Sequence, residues 1–270
     1  THLVGHAYDR LMMWPVFIGL AVLFLVVLVV RDRGSSLGSQ EESSAVSFRQ
    51  LGEYLAKIVT HPQLWLIGVI GCFLYVPSSV FLDVYARRYL MRVHSLSVVQ
   101  TGLPIFLMFL GWIISSIMTG AISDRLQSRK TPLVLAAFFS TVVSSALVWF
   151  PGLSFISISV LMFLLGFSCG PHPLCFTMSK ETFPAKVAGT AISFANFLIM
   201  MGGFLFQPLV GALIEWHHGR TCLGNTDCYV ASDYHFAMMF MPLALMVTLV
   251  LTFFLKETGG RAHGSQGSRS

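Results

Sequence analysis

The segment GFSCGPHPLCF, residues 166–176, contains a serine and a histidine at a spacing that suggests nucleophilic chemistry. Residues 166–170 satisfy the G-x-S-x-G pattern of a serine hydrolase elbow, and His172 follows Ser168 by four positions. A neighbouring histidine can act as the base that activates a serine hydroxyl. The segment therefore raises the hypothesis of a serine hydrolase.

The surroundings of this segment argue against that chemistry. A hydrolase elbow needs a strand, a sharp turn and a helix, and no such context is present. Pro171 and Pro173 disrupt the helical register between Ser168 and His172, and no convincing oxyanion donors accompany the pair. An intramembrane serine hydrolase is retained only as a minor alternative, and we predict that the protein is not an enzyme.

The composition is that of a membrane protein. The chain has 270 residues, of which 55% are hydrophobic and 11% charged, and its mean hydropathy is +0.74. Soluble domains carry about 25% charged residues. The formal charge of +5 is spread over few charged groups, so we expect no nucleic-acid partner, and no pattern indicates a cofactor.

Long apolar stretches without charges predict the membrane spans. A helix of roughly 20 apolar residues crosses a bilayer and satisfies its own backbone hydrogen bonds there, whereas barrel strands alternate over about ten residues. We therefore predict an all-α membrane protein with seven transmembrane helices. The charge-free windows are Leu11–Val30, Leu64–Leu82, Thr101–Ser123, Pro132–Phe150, Leu153–Ser179, Val187–Ile214 and Phe236–Leu255.

The distribution of lysine and arginine predicts the orientation. Twelve of the 17 basic residues lie in residues 31–63, 124–131, 180–186 and 256–270, and five lie in the alternate loops and the N-terminal segment. Because basic residues are retained on the cytoplasmic side, the C-terminus and the loop 31–63 are predicted to be cytoplasmic. The first helix then runs from outside to inside, which leads us to expect the C-terminal part of a longer protein.

The stretch between the first two helices predicts a linker. RDRGSSLGSQEESSAVS is rich in Ser, Gly and Glu and cannot bury a core. SFRQLGEYLAKIVTH then places apolar residues at helical spacing, as expected of a helix lying on the inner membrane surface. The expected organisation is a first helix at 1–31, a cytoplasmic linker with an interfacial helix at 32–62, a six-helix unit at 63–256 and a flexible tail at 257–270.

The end of the third span carries a recognisable loop. GAISDRLQSRK, residues 120–130, resembles the G-x-x-x-D-R-x-G-R-R signature of the major facilitator superfamily of transporters. Gln127 and Ser128 replace the expected Gly and Arg. The matching positions are Gly120, Asp124, Arg125 and Arg129.

A second stretch, KETFPAKVAGTA, resembles the E-x-F-P-x-x-x-R-G-T-A pattern found between helices ten and eleven of many members of the same family. The arginine position is Ala188, and Lys186 lies two residues earlier. The closing FFLKET is also similar to the usual ending of the family. The matching positions include Glu181, Pro184 and Gly189, which we take as a cytoplasmic loop motif.

The resemblance covers the whole chain and implies helices six to twelve of a twelve-helix transporter. Residues 1–31 would be the last helix of the N-terminal bundle, and residues 63–256 the six-helix C-terminal bundle. The implied function is a secondary active transporter that moves a small polar metabolite, with a proton or ion as candidate coupling partner, across a bacterial inner membrane by rocker-switch alternating access. The missing N-terminal half would be a partner. A seven-helix receptor fits the helix count but leaves both motifs unexplained.

Polar residues inside the spans are the candidate binding positions, because burying them in lipid is unfavourable unless they face protein or a water-filled cavity. At about 100° per residue, Cys72, Tyr75, Ser79 and Asp83 share one face of the second span. Ser193, Asn196, Met200, Gly203, Gln207 and Gly211 share one face of the sixth. These faces either line a cavity or hold helices together. The candidates for substrate or ion binding are Tyr75, Ser79, Asp83, His172, Asn196 and Gln207.

Two of these features allow more than one interpretation. Asp83 can carry a coupling proton or form a solvated ion pair with Arg87 and Arg88. The Gly120–Arg129 motif either anchors the loop to the cytoplasmic surface or, by resemblance, forms a charge latch that breaks as the halves rock. Arg125 and Arg129 could meet helix carbonyls or lipid phosphates, and Asp124 a helix N-terminus.

The remaining segments predict a hinge and an external disulfide. Gly166 and Gly170 are spaced for close helix contact, and Pro171 and Pro173 interrupt backbone hydrogen bonding, so we predict a bend in the fifth span. A disulfide between Cys222 and Cys228 is expected in the external loop. His217 and His218 lie nearby, but without further ligands we predict no metal site there.

Overall fold

A computed structural model of the chain describes residues 2–29, 48–150, 152–219 and 228–258, in which every regular element is helical. The chain divides into two compact units, Thr1–Ser47 and Phe48–Ser270. The described part of the first unit is helix α1 (His2–Val29), which contains Pro15. Its apolar stretch Met13–Leu28 is exposed.

The second unit is a bundle of helices connected by short segments. The elements are α2 (Phe48–Val59), α3 (Pro62–Val76), a π-helical segment (Pro77–Tyr85), α4 (Ala86–Val93), α5 (Gly102–Leu126), α6 (Lys130–Trp149), α7 (Phe155–Cys169), α8 (Leu174–Thr182), α9 (Ala185–His218), α10 (Ala231–Met238) and α11 (Phe240–Phe254).

Six runs of helix in the described residues are long and apolar enough to cross a membrane, which confirms the predicted all-α membrane fold. The first predicted span, Leu11–Val30, corresponds to α1, whose described apolar stretch is shorter, so it stays a prediction. The six runs are Pro62–Val93, Gly102–Leu126, Lys130–Trp149, Phe155–Thr182, Ala185–His218 and Ala231–Phe254.

The second predicted span extends further than the charge pattern indicates. The prediction ended it at Leu82, but the helix continues through the π-helical segment and α4 to Val93. The extension is amphipathic: Tyr89 and Leu90 are buried, whereas Arg87 and Arg88 are exposed. Charged side chains at the edge of a membrane can reach water while their helix stays packed, so the charges do not end it.

Prolines account for breaks inside two of the spans. The fifth predicted span is interrupted between α7 and α8, where Pro171 and Pro173 supply no backbone N–H. The last predicted helix, Phe236–Leu255, was expected to be continuous. The structure instead begins it at Ala231 and breaks it at Met239, three residues before Pro242, whose ring is incompatible with an uninterrupted helix.

The helix predicted after the linker is present as α2 and packs on the bundle, and its position at the membrane surface stays a prediction. Ile58 is 1% exposed and lies in a small apolar cluster with Leu64 of α3 and Val187 and Ala191 of α9. Leu55, which the sequence placed on the same apolar face, is 41% exposed. The helix therefore attaches to the bundle through one turn and leaves part of its apolar face open.

Helices α5 and α7 form the closest packing in the bundle because glycines remove side chains between them. A Cβ added to Gly166 would collide with the backbone carbonyl of Met108, and one added to Gly111 would collide with that of Phe163. A Cβ on Gly170 would collide with the Ser115 side chain. Small residues allow this kind of backbone approach between membrane helices.

Candidate functional site

The serine and histidine of GFSCGPHPLCF do not form a catalytic pair. Ser168 Oγ donates to the carbonyl oxygen of Leu165 at 2.9 Å, within its own helix. His172 lies in the four-residue turn between α7 and α8, and its backbone N–H donates to the Cys169 carbonyl at 3.2 Å. The hydrolase alternative therefore loses its nucleophile and base.

His172 instead lies in a stack of aromatic rings in the bundle interior. The imidazole is nearly parallel to the ring of Tyr75 on α3, with centroids 5.0 Å apart and an angle of 21°. It is also nearly parallel to the ring of Trp112 on α5, at 5.8 Å and 22°. Phe176 of α8 meets it edge-on at 6.0 Å. The helix break thus places an ionisable ring at the meeting point of three spans.

Two nitrogen atoms of this stack lack protein partners. His172 is 5% exposed, and its Nδ1 atom has no hydrogen bond within the described part of the chain. The same holds for the indole Nε1 of Trp112. Leaving a buried polar group unpaired costs about 1–3 kcal/mol. We define these two atoms with the ring of Tyr75 as the aromatic site.

The two predicted polar faces meet each other, at Ser79 and Gln207. Gln207 Nε2 donates to the carbonyl oxygen of Ser79 at 2.7 Å, and Tyr85 Oη donates to the carbonyl oxygen of Gln207 at 2.7 Å. Ser79 Oγ donates to the Tyr75 carbonyl of its own helix. A Cβ on Gly211 would lie 3.2 Å from the Tyr85 hydroxyl, so the small residues of α9 do permit close approach.

These contacts favour the helix-joining interpretation for Gln207 and Ser79. They lie at the π-helical segment, a type of local widening that is frequent at functional sites. The prediction that Asp83 and Tyr75 share one face assumes the 100° per residue of a regular α-helix. The π-helical turns between them change that angle. Binding roles for Ser79 and Gln207 stay predictions.

Asp83 and Asn196 are both exposed on the bundle surface. Among the residues that the structure describes, Asp83 forms no ion pair within 4.0 Å, so the expected pair with Arg87 or Arg88 is not formed. The Asn196 side chain likewise has no hydrogen bond to any described residue. Both side chains are therefore available to an outside ligand or to another part of the protein.

The loop between α5 and α6 is the centre of a charged cluster. Arg129 Nη1 lies 2.5 Å from Asp124 and 2.9 Å from Ser123 Oγ. Its Nη2 and Nε donate to one oxygen of Glu181, at the end of α8, at 3.0 and 3.2 Å. Burial acts to lower the pKa of Arg129, but its hydrogen bonds to Asp124 and Glu181 outweigh it and hold the pKa above its ordinary value.

A carboxylate from the C-terminal segment completes this cluster. Glu257 accepts from the backbone N–H groups of Arg129 and Lys130 at 2.7 and 3.1 Å, and so caps the start of α6. Thr258 Oγ1 donates to the second oxygen of Glu181 at 2.8 Å. The sequence suggested Asp124 as the carboxylate near a helix N-terminus; the structure assigns that contact to Glu257.

The two sequence motifs are thus joined through Arg129 and Glu181. Pro184 stands at the N-cap of α9, and Gly189 lies in α9 with open space around its Cα. Gly120 also has open space. Arg125 is exposed and has no hydrogen bond or ion pair with any described residue.

A second cluster joins α9 and α10 at the opposite end of these spans. Asp233 is 2% exposed and accepts from three groups. His217 Nδ1 and His218 Nδ1 each lie 2.7 Å from a different carboxylate oxygen, and the Val230 N–H donates at 2.9 Å. Within the described ranges, no group of three or more His, Cys, Asp or Glu residues could hold a metal ion.

Cys228, beside this cluster, is disulfide-bonded. Its predicted partner, Cys222, lies outside the described residues. Cys72, Cys169 and Cys175 are free.

Sequence reasoning missed Trp112, Tyr85 and Glu257. In the sequence, Trp112 is indistinguishable from the other apolar residues of the third predicted span. Tyr85 lies beyond the predicted end of the second span. Glu257 was identified only within a familiar closing motif. Only contacts between distant parts of the chain give these residues a role.

Comparisons with known proteins agree with the fold. A family model described as Major Facilitator Superfamily matches residues 10–207, which is more than half of the chain. A second model, described as Sugar (and other) transporter, matches residues 152–267. This membership removes the support for the seven-helix receptor.

Individual relatives cover most of this chain and about half of their own length. The Glycerol-3-phosphate transporter of Bacillus subtilis (strain 168) is 24% identical over 241 residues, which are 81% of this chain and 53% of that protein. The inward-open xylose transporter XylE from E. coli has a TM-score of 0.57 and 18% identity, over 72% of this chain and 48% of that one. A structure of XylE as a proton:xylose symporter bound to 6-bromo-6-deoxy-D-glucose has a TM-score of 0.55 and 19% identity, over 77% and 46%.

The structural likeness, at this level of identity, bears on the fold alone. The chain spans about half the length of the relatives it matches. Its six apolar runs of helix and the family match describe an integral multi-pass membrane protein. The chain therefore belongs to the Major Facilitator Superfamily, and its relatives are transporters, not enzymes.

Proposed function

We propose that this chain is the C-terminal half of a secondary active transporter that moves a small hydroxylated metabolite across a bacterial inner membrane. In this proposal residues 63–256 form one of two six-helix bundles, and residues 1–31 form the last helix of the other. The linker 32–62 joins them, and the tail is 257–270. The match to about half of the glycerol-3-phosphate transporter and of XylE supports this division.

The observation that carries the proposal is the aromatic site. Trp112 Nε1 and His172 Nδ1 are buried polar atoms without hydrogen-bond partners among the described residues, and Tyr75 and Trp112 offer apolar ring faces beside them. A substrate oxygen would supply the missing hydrogen bonds. Ligand sites typically combine aromatic walls with a few oriented polar groups.

The substrate class follows from the chemistry of this site. Its groups are uncharged donors and acceptors with ring faces, which suits hydroxyl groups and the C–H faces of a polyol or sugar. Glycerol 3-phosphate and xylose, named for the two relatives, both carry hydroxyl groups. Any phosphate or carboxylate on the substrate would need cations from outside the aromatic site.

The charged cluster around Arg129 is the proposed conformational switch. It ties the α5–α6 loop to the end of α8 and to the C-terminal segment. In this proposal the contacts stabilise one access state and break when these segments move relative to one another as access changes. The break at Gly166–Pro173 is the proposed hinge that lets α7 and α8 move separately.

The proposal also includes a coupling proton. Asp83 is the candidate carrier on this chain because its carboxylate is exposed and unpaired among the described residues. Asn196 is a second candidate contact on the exposed surface.

The aromatic site is tested by uptake in cells that express the full-length protein. Trp112→Phe keeps a ring but removes the N–H donor, so we expect the KM of a transported sugar or polyol to rise about 2- to 10-fold, the loss of one hydrogen bond. The matched control is Trp149→Phe, because Trp149 is 54% exposed at the end of α6.

The measurement is uptake of labelled xylose, glycerol 3-phosphate and a panel of polyols, at equal abundance in the isolated inner membrane. His172→Asn provides a second variant in the same site. Unchanged kinetics for every transported compound in both variants would reduce the aromatic site to packing. Absence of any uptake by the full-length protein would contradict the transport function itself.

A further inference from the structure

A cavity of about 470 Å³ lies between α5, α6 and α7, and none of its lining residues belongs to the aromatic site. Its walls are mainly large apolar side chains, with α5 and α6 at the sides and the end of α7 as the floor. We call it the α5–α6 groove. The side chains that shape it include Met118, Ile122, Leu126, Leu135, Phe139 and Phe167.

The groove exists because α5 and α6 both pack against α7 but barely touch each other. The glycine contacts at Gly111 and Gly166 hold α5 against α7. Small side chains such as Ala136 then line the space that α5 and α6 leave between them.

Two of the three hydroxyl groups in the wall of the groove are hydrogen-bonded within their own helices. Thr119 Oγ1 donates to the carbonyl oxygen of Ser115 at 2.7 Å, and Ser168 Oγ donates to that of Leu165 at 2.9 Å. The Ser115 hydroxyl is the one in this wall without a hydrogen bond to a described residue, and the other lining side chains are apolar. The groove therefore suits a hydrocarbon chain better than a sugar.

The exposed side chains around the groove face the membrane. Ile117, beside the α5 wall, is 73% exposed, and Leu135 and Phe139 on α6 are 48% and 52% exposed. In a membrane-spanning bundle, apolar surface of this kind is in contact with lipid. The hydrocarbon that fills the groove is then an acyl chain.

A cation adjoins the lining residues at one end of the groove. Arg125 lies within about 60° of Ile122 on α5 and directly precedes Leu126, both of which line the groove. It is exposed, and no described residue bonds to its guanidinium. The neighbouring cations are engaged: Arg129 binds Asp124 and Glu181, and Lys130 Nζ donates to the carbonyl oxygen of Phe253 at 2.9 Å.

We propose that the α5–α6 groove binds one acyl chain of an anionic phospholipid whose headgroup phosphate pairs with Arg125. Basic positions beside apolar clefts between membrane helices recognise anionic headgroups. Ser168 and Pro171, next to the break between α7 and α8, also line the groove. A bound chain therefore contacts the proposed hinge and stabilises the bent form of the α7–α8 span.

Lipid binding to the purified full-length protein tests this proposal. The probes are phosphatidylglycerol and phosphatidylcholine with identical acyl chains, and binding is measured by native mass spectrometry over a lipid titration. We expect one saturable site with about fivefold tighter binding of phosphatidylglycerol, the preference that one cation at the surface confers.

Two variants test recognition of the lipid headgroup and binding of the acyl chain separately. Arg125→Gln should remove the preference for phosphatidylglycerol while phosphatidylcholine binding stays. Leu135→Trp, which fills the groove from an exposed position, should weaken the binding of both lipids. The matched controls are Arg87→Gln and Phe204→Trp, since both side chains are exposed outside the groove.

The controls should bind as the unsubstituted protein does. Equal affinity for the two lipids before substitution, or an equal loss in Arg125→Gln and Arg87→Gln, would overturn the headgroup assignment. No saturable site, or binding unchanged by Leu135→Trp, would overturn the assignment of an acyl chain to the groove. None of these results depends on uptake, so the proposed transport function is tested separately.

Discussion

Gly166→Ala is a single-methyl substitution whose effect follows directly from the packing of α5 on α7. The added Cβ would lie 2.8 Å from the carbonyl carbon of Met108 and in collision with its oxygen. Carbon atoms in contact are about 3.5–4.0 Å apart, so the two backbones must separate by roughly 1 Å. No side-chain rotation relieves this collision, because the obstructing atoms belong to the backbone.

Two opposing effects, overpacking and helix preference, set the change in the free energy of unfolding. Overpacking a well-packed interior costs about 1–3 kcal/mol. Alanine is more favourable than glycine in a helix interior by about 0.5–1 kcal/mol. Since the separation also weakens neighbouring contacts along α5 and α7, we expect a net loss of about 1–2 kcal/mol in the free energy of unfolding.

Glycines with open surroundings supply the matched control. A Cβ at Gly120 or Gly189 meets nothing within 4 Å, although both residues lie within helices. There the collision is absent and only the helix preference remains, so Gly120→Ala and Gly189→Ala should stabilise the protein by about 0.5–1 kcal/mol. The same chemical change is therefore predicted to act in opposite directions.

The assay is thermal unfolding of the full-length protein in one detergent at one scan rate, followed by intrinsic fluorescence. Gly166→Ala should lower the melting temperature, and the two controls should leave it unchanged or raise it. Equal shifts in all three variants, or a stabilised Gly166→Ala protein, would refute the assignment of a backbone-to-backbone contact between α5 and α7.

Two further predictions concern Asp233, which joins α9 and α10, and His94, just beyond α4. Asp233→Asn removes a buried carboxylate that accepts hydrogen bonds from His217, His218 and the Val230 N–H. We therefore expect the free energy of unfolding to fall by about 1–3 kcal/mol in the same unfolding assay. An unchanged melting temperature would contradict this prediction. The pKa of His94, just beyond α4, is lowered from 6.5 by burial and then by the charge of His235. Because the folded state disfavours protonated His94, its contribution to stability is retained above pH 6.5 and decreases as the pH falls below it. His94→Gln should flatten this acid dependence in melting temperatures recorded between pH 5 and about pH 8, whereas an identical pH profile would be evidence against it.

The sequence by itself determined the membrane class, six of the spans and the proline break in the fifth span, because these depend on local properties. A run of about 20 apolar residues must form a helix in lipid whatever surrounds it, and a proline removes an N–H wherever it lies. The same locality explains why the predicted end of the second span was wrong. Arg87 and Arg88 suggested a loop, but Tyr89 and Leu90 bury the other face of the helix that continues through them.

Only the tertiary structure decided which polar groups have partners. Ser79 and Gln207 are 128 positions apart and meet because α3 and α9 pack together. Arg129 and Glu181 come from separate motifs, and Glu257 reaches the start of α6 from the far end of the chain. Such contacts depend on how helices associate, which no local pattern encodes. For the same reason, the Ser168–His172 spacing suggested a catalytic pair, whereas the fold directs Ser168 to Leu165 and stacks His172 between Tyr75 and Trp112.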